Sequence, residues 1–236
     1  MGVRLRFIPE DQLWHHSNLN LESVGQIVLV NPQEIPLDNL FSRTWKRLFD
    51  LVFSSLFLLL IFSWMLPIVA LIIKLSSRGP VFFVQKRTGY NNRVFNCYKF
   101  RSMKVNDLAH ERQATADDCR ITRIGRFLRR TNLDELPQFM NVWMGQMSVV
   151  GPRPHMLKHT EEYSELIKHY LTRHYVRPGV TGWAQVNGFR GETDELWKME
   201  KRVEFDKDYI ENWNFWWDIK IIWMTLFWVK SYRNAG

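Results

Sequence analysis

The most prominent feature of the hydrophobic pattern is a long apolar run in the first third of the chain. Residues 51–73 carry no charge and read LVFSSLFLLLIFSWMLPIVALII. As a helix this run is about 34 Å long, which is enough to cross the hydrocarbon layer of a bilayer. It lies inside the chain and is too long for a secretory signal peptide. The pattern therefore predicts a membrane-associated helix.

Basic residues flank this run on both sides, namely Arg43, Lys46, Arg47, Lys74, Arg78, Lys86 and Arg87. Because such residues favour the cytoplasmic side, two basic flanks favour a segment that enters and leaves on one face. Pro67 offers a place to break the helix, and the hydroxyl of Ser63 can bond a carbonyl freed there. We predict a re-entrant helix-break-helix over 41–76. A straight span and the buried core helix of a soluble protein remain alternatives.

The patterns after this segment predict a mixed α/β part over 77–236. Val81–Val84 and Val94–Phe100 flank a turn and indicate a β-hairpin, and 105–118 indicates a loop. Helical periodicity is present at 120–130, after Pro137, and at 161–175, 192–209 and 213–229. The last helix is dense in aromatic residues and indicates either a helix in the headgroup plane or one packed on the core. A short alternating stretch is predicted around Gln185–Asn187.

Residues 1–40 have a different character. Strand patterns occur at 3–8 and 26–30, and turn signals follow them. The segment is too short for a core of its own, so we predict the tail of a preceding domain or a linker.

The charge balance favours anionic partners. The formal net charge is +8 and the isoelectric point is near 9.6, which is typical of proteins that bind nucleic acid, phospholipid headgroups or nucleotide phosphates. Two cysteines give no disulfide framework and fit a reducing cytosolic setting.

A candidate site lies at 131–154, TNLDELPQFMNVWMGQMSVVGPRP. Asp134 and Glu135 stand just before or inside the first turn of a short amphipathic helix, and five arginines precede them, Arg120, Arg123, Arg126, Arg129 and Arg130. Acids at a helix start often only complement the helix dipole. Together with the arginines, whose forked guanidinium matches phosphate oxygens, they also fit a polyanion site with a divalent metal.

Six ordered motifs resemble those of a known family over roughly 43–230. They are KRLFD at 46–50, IKLSSRGPVFF at 73–83, YKFRSM at 98–103, LDELPQFMNV at 133–142, MSVVGPRP at 147–154 and VRPGVTGWAQVNG at 176–188. They are similar to those of the bacterial sugar transferases that are monotopic polyprenyl-phosphate phosphoglycosyl transferases. The resemblance implies an α/β fold in a monotopic membrane protein, with a re-entrant helix and a small catalytic part bearing interfacial helices.

The resemblance also implies a reaction: a hexose-1-phosphate, with glucose favoured, moves from a UDP-sugar to undecaprenyl phosphate, and UMP is released. Asp134 matches the family's nucleophile, which forms an aspartyl-phosphosugar, and Glu135 matches the acid associated with Mg²⁺. Arg129 matches a phosphate-contacting position. Further positions fall in family motifs near the nucleotide or phosphates, namely Lys99, Arg101, Arg153, Arg177 and Gln185. Gln146 departs from the pattern, because many members have an acid there.

The implied setting is the cytoplasmic face of the bacterial inner membrane, in a glycoconjugate pathway such as exopolysaccharide synthesis. The expected partners are the UDP-sugar, undecaprenyl phosphate and membrane lipid, with no nucleic acid; a homodimer is compatible with the resemblance. Three alternatives remain: UDP-galactose as donor, a hydrolase of UDP-sugars, and a catalytically silent membrane adaptor with a basic face.

Overall fold

A computed structural model describes residues 20–24, 27–31, 35–105, 118–191 and 195–227. Strands β1 (Asn20–Val24) and β2 (Ile27–Asn31) form an antiparallel hairpin near the start of the chain. The strand predicted at 26–30 is confirmed to within one residue. The strand predicted at 3–8 lies outside the described residues.

The apolar run forms the central part of a helical segment, Leu40–Ser76. It consists of α1 (Leu40–Phe57), a π-helical turn (Leu58–Phe62) and α2 (Ser63–Ser76). The Asn39 side chain accepts a hydrogen bond from the amide of Phe41 and caps α1. Among the described residues, this is the one helix long and apolar enough to cross a membrane.

A widened π turn, Leu58–Phe62, lies before Pro67, the residue at which the sequence predicts a break. The amide of Ser63 bonds to the carbonyl of Leu58, and the hydroxyl of Ser63 donates to the carbonyl of Leu59 at 2.6 Å. The indole of Trp64 donates to the next carbonyl, that of Leu60, at 2.9 Å. These side chains satisfy backbone groups at the irregular turn, which is required where water is absent. The helix continues through Pro67.

Two small sheets form the β part of the main body. The predicted hairpin is confirmed as β3 (Phe82–Thr88) and β4 (Val94–Phe100), which pair antiparallel. Strands β5 (Ser148–Val150) and β6 (Gly179–Thr181) pair in parallel. The mixed α/β class is therefore confirmed.

Six further helices complete the described fold. They are α3 (Arg123–Arg130), α4 (Gln138–Trp143), α5 (Leu157–Leu166), α6 (Trp183–Val186), α7 (Leu196–Asn212) and α8 (Phe215–Phe227). The single helix predicted at 161–175 is wrong, because α5 ends at Leu166 and His169 adopts a left-handed conformation with φ of 64°. A 3₁₀ turn, Tyr170–Tyr175, follows. The alternating stretch predicted at Gln185–Asn187 is also wrong, since Gln185 and Val186 lie in the short helix α6.

The long helix is joined to the main body by buried polar contacts. The carboxylate of Asp50 accepts from the Ser148 hydroxyl at 3.0 Å and from the Val149 amide at 2.9 Å. Lys46 forms a 2.6 Å ion pair with Asp218 of α8. Side chains nearly inaccessible to solvent cost least to bury when they are paired, so these contacts fix α1 against β5 and α8.

The far end of the same helix packs on the same body. Val69 and Ile73 of α2 share an apolar cluster with Phe100 of β4 and Leu128 of α3. Beyond α2, Arg101 donates to the carbonyl of Ser77 at 2.6 Å. Both ends of the helical segment therefore contact one α/β body.

Candidate active site

The acid pair lies between α3 and α4, in a 3₁₀ turn, Leu133–Glu135. The Thr122 hydroxyl accepts from the amide of Gly125 and starts α3. A Cβ added to Gly125 would lie 1.8 Å from the carbonyl oxygen of Ser102, so α3 approaches the end of β4 as closely as the backbones allow. The predicted pair is thus held just before α4, beside the C-terminal end of α3.

Glu135 is held by three cations from distant parts of the chain. Lys99 donates to its Oε1 at 2.7 Å. Arg153 donates to both carboxylate oxygens, at 2.5 Å and 3.0 Å, and Arg190 donates to Oε2 at 3.2 Å. Burial alone raises the pKa of Glu135, but the charges of Arg153 and Lys99 hold that pKa well below its ordinary value.

Asp134 has the opposite environment although it is adjacent in sequence. Its carboxylate is buried and accepts no hydrogen bond from any residue that the structure describes. Burial and the neighbouring charge of Glu135 raise the pKa of Asp134 to about 6, against the opposing charges of Lys99 and Arg129. Asp134 is therefore ionised at neutral pH and, within the described residues, is not engaged in a hydrogen bond.

The structure brings three further predicted site residues around Asp134 in addition to its neighbour Glu135, and separates the others. Lys99, Arg129 and Arg153 all act electrostatically on Asp134. A buried terminal nitrogen of Arg129 has no hydrogen-bond partner within the described residues, so it is available to an anion. Together with Glu135, these residues make a compact set of two acids and three cations.

The other predicted residues contact different groups. Arg101 donates to carbonyls at the end of α2. Arg177 donates to the carbonyl of Gly145 and lines a separate cavity of about 190 Å³. The buried Gln185 donates to the carbonyl of Val180 at 3.4 Å, while its side-chain oxygen has no partner within the described residues.

Arg190 is a site residue that the sequence analysis missed. It lies in a GFRG stretch, 55 positions from Glu135. The sequence feature that could have indicated it is an arginine near two glycines, two residues after the end of the last family motif. Spacing along the chain gives no indication that it reaches the acid pair.

Gln146 has a structural role in this arrangement. Its side-chain oxygen accepts from the amide of the buried Asn141 at 2.7 Å. Asn141 in turn accepts from the backbone amide of Tyr98 and donates to the carbonyl of Asn96. The amide that replaces the expected acid thus links the turn after α4 to β4.

The residues present fit Mg²⁺ in part. Mg²⁺ is commonly bound through one or two carboxylates together with substrate phosphates and water. The Asp134 oxygens are open to such a contact, whereas Glu135 accepts four hydrogen bonds and so uses about all of its lone-pair sites. A Glu135–metal contact thus requires one cation to move. Among the described residues there is no group of three or more potential His, Cys, Asp or Glu ligands.

Comparisons with known proteins agree with the motifs. A profile of the family described as bacterial sugar transferase matches residues 41–231. A UDP-glucose:undecaprenyl-phosphate glucose-1-phosphate transferase of Escherichia coli (strain K12) is 51% identical over 231 residues, covering 97% of this chain and 49% of that protein. The chain thus spans about half the length of this relative.

Two further relatives are matched over a shorter part of this chain, and only the second of them has a sugar in its name. The exopolysaccharide production protein PSS of Rhizobium leguminosarum bv. phaseoli is 48% identical over 186 residues, 77% of this chain and 92% of that protein. A UDP-N-acetylgalactosamine-undecaprenyl-phosphate N-acetylgalactosaminephosphotransferase of Aeromonas hydrophila is 41% identical over 183 residues, 77% of this chain and 42% of that protein. Since the family profile covers most of the sequence, the chain belongs to the bacterial sugar transferases, a family of transferase enzymes.

Proposed function

We propose that this chain transfers glucose-1-phosphate from UDP-glucose to undecaprenyl phosphate through a covalent intermediate on Asp134, with release of UMP. The observation that carries the proposal is the asymmetry of the acid pair. Glu135 is bound by three cations, whereas the buried Asp134, with its pKa raised to about 6, accepts no hydrogen bond within the described residues. The names of the similar proteins support the donor and acceptor.

In the first step, an oxygen of Asp134 attacks the phosphorus that carries the sugar. A new bond joins that oxygen to phosphorus, and the bond to the UMP oxygen breaks with its electron pair on UMP. In the second step, an oxygen of undecaprenyl phosphate attacks the same phosphorus, and the Asp134 carboxylate leaves. The donor and the lipid acceptor therefore use one site in turn.

The surrounding cations neutralise charge in both steps. Phosphoryl transfer depends mainly on positioning and electrostatic stabilisation. Arg129 and Arg153 present guanidiniums suited to phosphate oxygens, and Lys99 adds a point charge. Asp134, with the donor's phosphates, would hold Mg²⁺, and Glu135 would join it once one of its three cations moves; the bound ion would neutralise diphosphate charge.

The membrane arrangement that we propose is a re-entrant segment on the cytoplasmic face. Its basis is that Lys46 near one end and Ile73 near the other both pack on the same α/β body. A straight helix would place those ends on opposite sides of a layer about 30 Å thick. The basic flanks favour the cytoplasmic side for both ends.

Helix α8 adds a second apolar surface, which we propose lies in the headgroup plane. Asp218, Ile221 and Met224 are buried against the body, while Trp216 and Trp223 of the same helix are exposed. Exposed tryptophans are typical of the boundary between headgroups and acyl chains. In this setting the reaction would initiate synthesis of a polysaccharide such as an exopolysaccharide, and a homodimer is compatible with it.

The test uses the purified protein in lipid nanodiscs with Mg²⁺ and UDP-glucose but no acceptor. We expect one equivalent of UMP or less and a hexose-phosphate mass adduct on the intact protein, both absent in Asp134→Asn. Adding undecaprenyl phosphate restores turnover. UDP-galactose and UDP-N-acetylgalactosamine run in parallel test the sugar.

Other outcomes would contradict specific parts of the proposal. Continuous UMP release without acceptor indicates a hydrolase. A burst with another UDP-sugar alone corrects the donor. The absence of UMP release and of a mass adduct with every donor, with and without acceptor, overturns the enzyme proposal and favours a catalytically silent membrane adaptor.

A further inference from the structure

The buried face of α7 carries two charged residues one turn apart. Arg202 is 5% exposed and Asp206 is 2% exposed. Their neighbours on the same face, Met199, Val203 and Ile210, are apolar and buried. Burying a guanidinium and a carboxylate costs free energy that apolar residues at these positions would avoid. The contacts of Arg202 and Asp206 therefore point to a role in function.

Asp206 is connected through Arg173 to Arg153, one of the residues that bind Glu135. Its carboxylate accepts two hydrogen bonds from Arg173, at 2.6 Å and 2.9 Å. Arg173 in turn donates to the backbone carbonyl of Arg153 at 3.1 Å. Through Arg173, α7 therefore fixes the backbone of a residue whose side chain holds Glu135.

Arg202 contacts the segment that carries Arg190, the other arginine bound to Glu135. It donates to the carbonyl of Gly191 at 2.9 Å, next in sequence to Arg190, and lies 3.4 Å from Nε2 of His155. Its Nε is buried and unpartnered within the described residues. Burial, then the charges of Arg173 and Arg153, lower the pKa of Arg202 to about 9. Within the described residues no hydrogen bond joins it to Asp206, whose carboxylate accepts from Arg173.

We propose that Arg202 is a positioning residue for the transfer reaction: by holding the Gly191 carbonyl, it places the guanidinium of Arg190 on Glu135. The inference rests on the proposed function. With Asp206 and Arg173 fixing Arg153, one helix sets the positions of both guanidiniums that hold Glu135. Arg190 bonds only one carboxylate oxygen, at 3.2 Å, so its contact depends on where the GFRG stretch lies.

The experiment is a double-mutant cycle between Arg202→Met and Arg190→Met in nanodiscs. The readout is the rate constant of the first UMP burst together with the burst amplitude. We expect Arg202→Met to lower the rate constant by about 10²-fold, the scale of a misplaced site group. The amplitude and the KM for UDP-glucose change little, and the double variant is no slower than Arg190→Met alone, because both changes remove one contact.

Two variants complete the design. Lys201→Met is the matched control, because Lys201 is the exposed neighbour on α7 and its ion pair with Glu204 is open to solvent; its rate should equal that of the wild type. Arg202→Lys keeps a donor for Gly191 and should recover part of the rate. If Arg202→Met does not fold, as judged by thermal unfolding, the cycle is run with Arg202→Lys.

The outcomes separate this inference from the proposed function. A wild-type protein that gives no burst with any donor contradicts the function itself. With an active wild type, multiplicative losses in the double variant, or a fall in amplitude at an unchanged rate constant, would show a purely structural Arg202. A wild-type rate in Arg202→Met would likewise overturn the positioning role.

Discussion

At the scale of single residues, the acid pair shows how neighbours in sequence acquire opposite chemistry. Asp134 and Glu135 are both buried, yet only Glu135 receives the three cations. Environment rather than residue type therefore separates a stably charged acid from one whose pKa lies near neutrality. In the proposed mechanism this division leaves Asp134 reactive while Glu135 fixes the cations around it.

This coupling predicts a pH effect for Glu135→Gln. Asp134 reacts as a carboxylate, so the burst rate falls as pH drops through its pKa of about 6. Removing the Glu135 charge lowers that pKa, so the acid limb of the burst rate should move to lower pH. The rate itself should fall by about 10²-fold, because Arg153 and Arg190 lose the group that positions them. Glu161→Gln, which changes an exposed acid on α5, is the control. A shift of the acid limb to higher pH in Glu135→Gln would contradict the assignment of this limb to Asp134.

Gln146 gives a second prediction at this scale. Because its role here is to accept the Asn141 hydrogen bond, Gln146→Glu should fold and react like the wild type, since a carboxylate accepts the same bond. Gln146→Leu should lose about 1 kcal/mol of stability by leaving that donor without its partner. Denaturant unfolding measures the stability of the two variants, and the Mg²⁺ dependence of the UMP burst measures their activity. A changed Mg²⁺ requirement in Gln146→Glu would indicate a direct role at the metal.

At the scale of elements, periodicity predicted the regular parts and failed at the irregular ones. The β3–β4 hairpin and α3 follow their patterns because strand alternation and a helical apolar face are local signals. The helix predicted at 161–175 ends early because His169 is left-handed, a conformation that apolar spacing does not encode. The acid pair lies in a 3₁₀ turn just before α4, in agreement with its predicted place just before or inside the first turn of that helix.

The ion pair between α1 and α8 allows a prediction about how much this contact stabilises the fold. Lys46→Met leaves Asp218 buried without its charged partner and should cost about 3–5 kcal/mol of unfolding free energy. Replacing both, as Lys46→Met with Asp218→Leu, should recover part of this loss. Lys74→Met, at an exposed position on α2, is the control. Equal stability of all variants in detergent would show that this contact does not hold the helix.

At the scale of the whole molecule, the site is built from segments that the sequence leaves far apart. Lys99, Arg153 and Arg190 come from β4, the loop after β5 and the segment after α6. Motif resemblance predicted the first two, because each lies in a conspicuous family motif. Arg190 lies in none of the six, and it reaches Glu135 from a segment whose next residue, Gly191, is held by Arg202 of α7.

The path of the long helix gives the last prediction, since both of its ends pack on one body. In a Cys119→Ser background, Thr44→Cys and Ser76→Cys place single exposed thiols on either side of the apolar run, while native Cys97 is buried. In sealed inside-out membrane vesicles, a membrane-impermeant maleimide should label both positions, because a re-entrant segment returns to the face it entered. Leu60→Cys, at an exposed apolar position in the middle of the run, should stay unlabelled in lipid. Labelling of only one flank until the vesicles are opened would establish a straight crossing, and the α/β body would then need a different arrangement relative to α2.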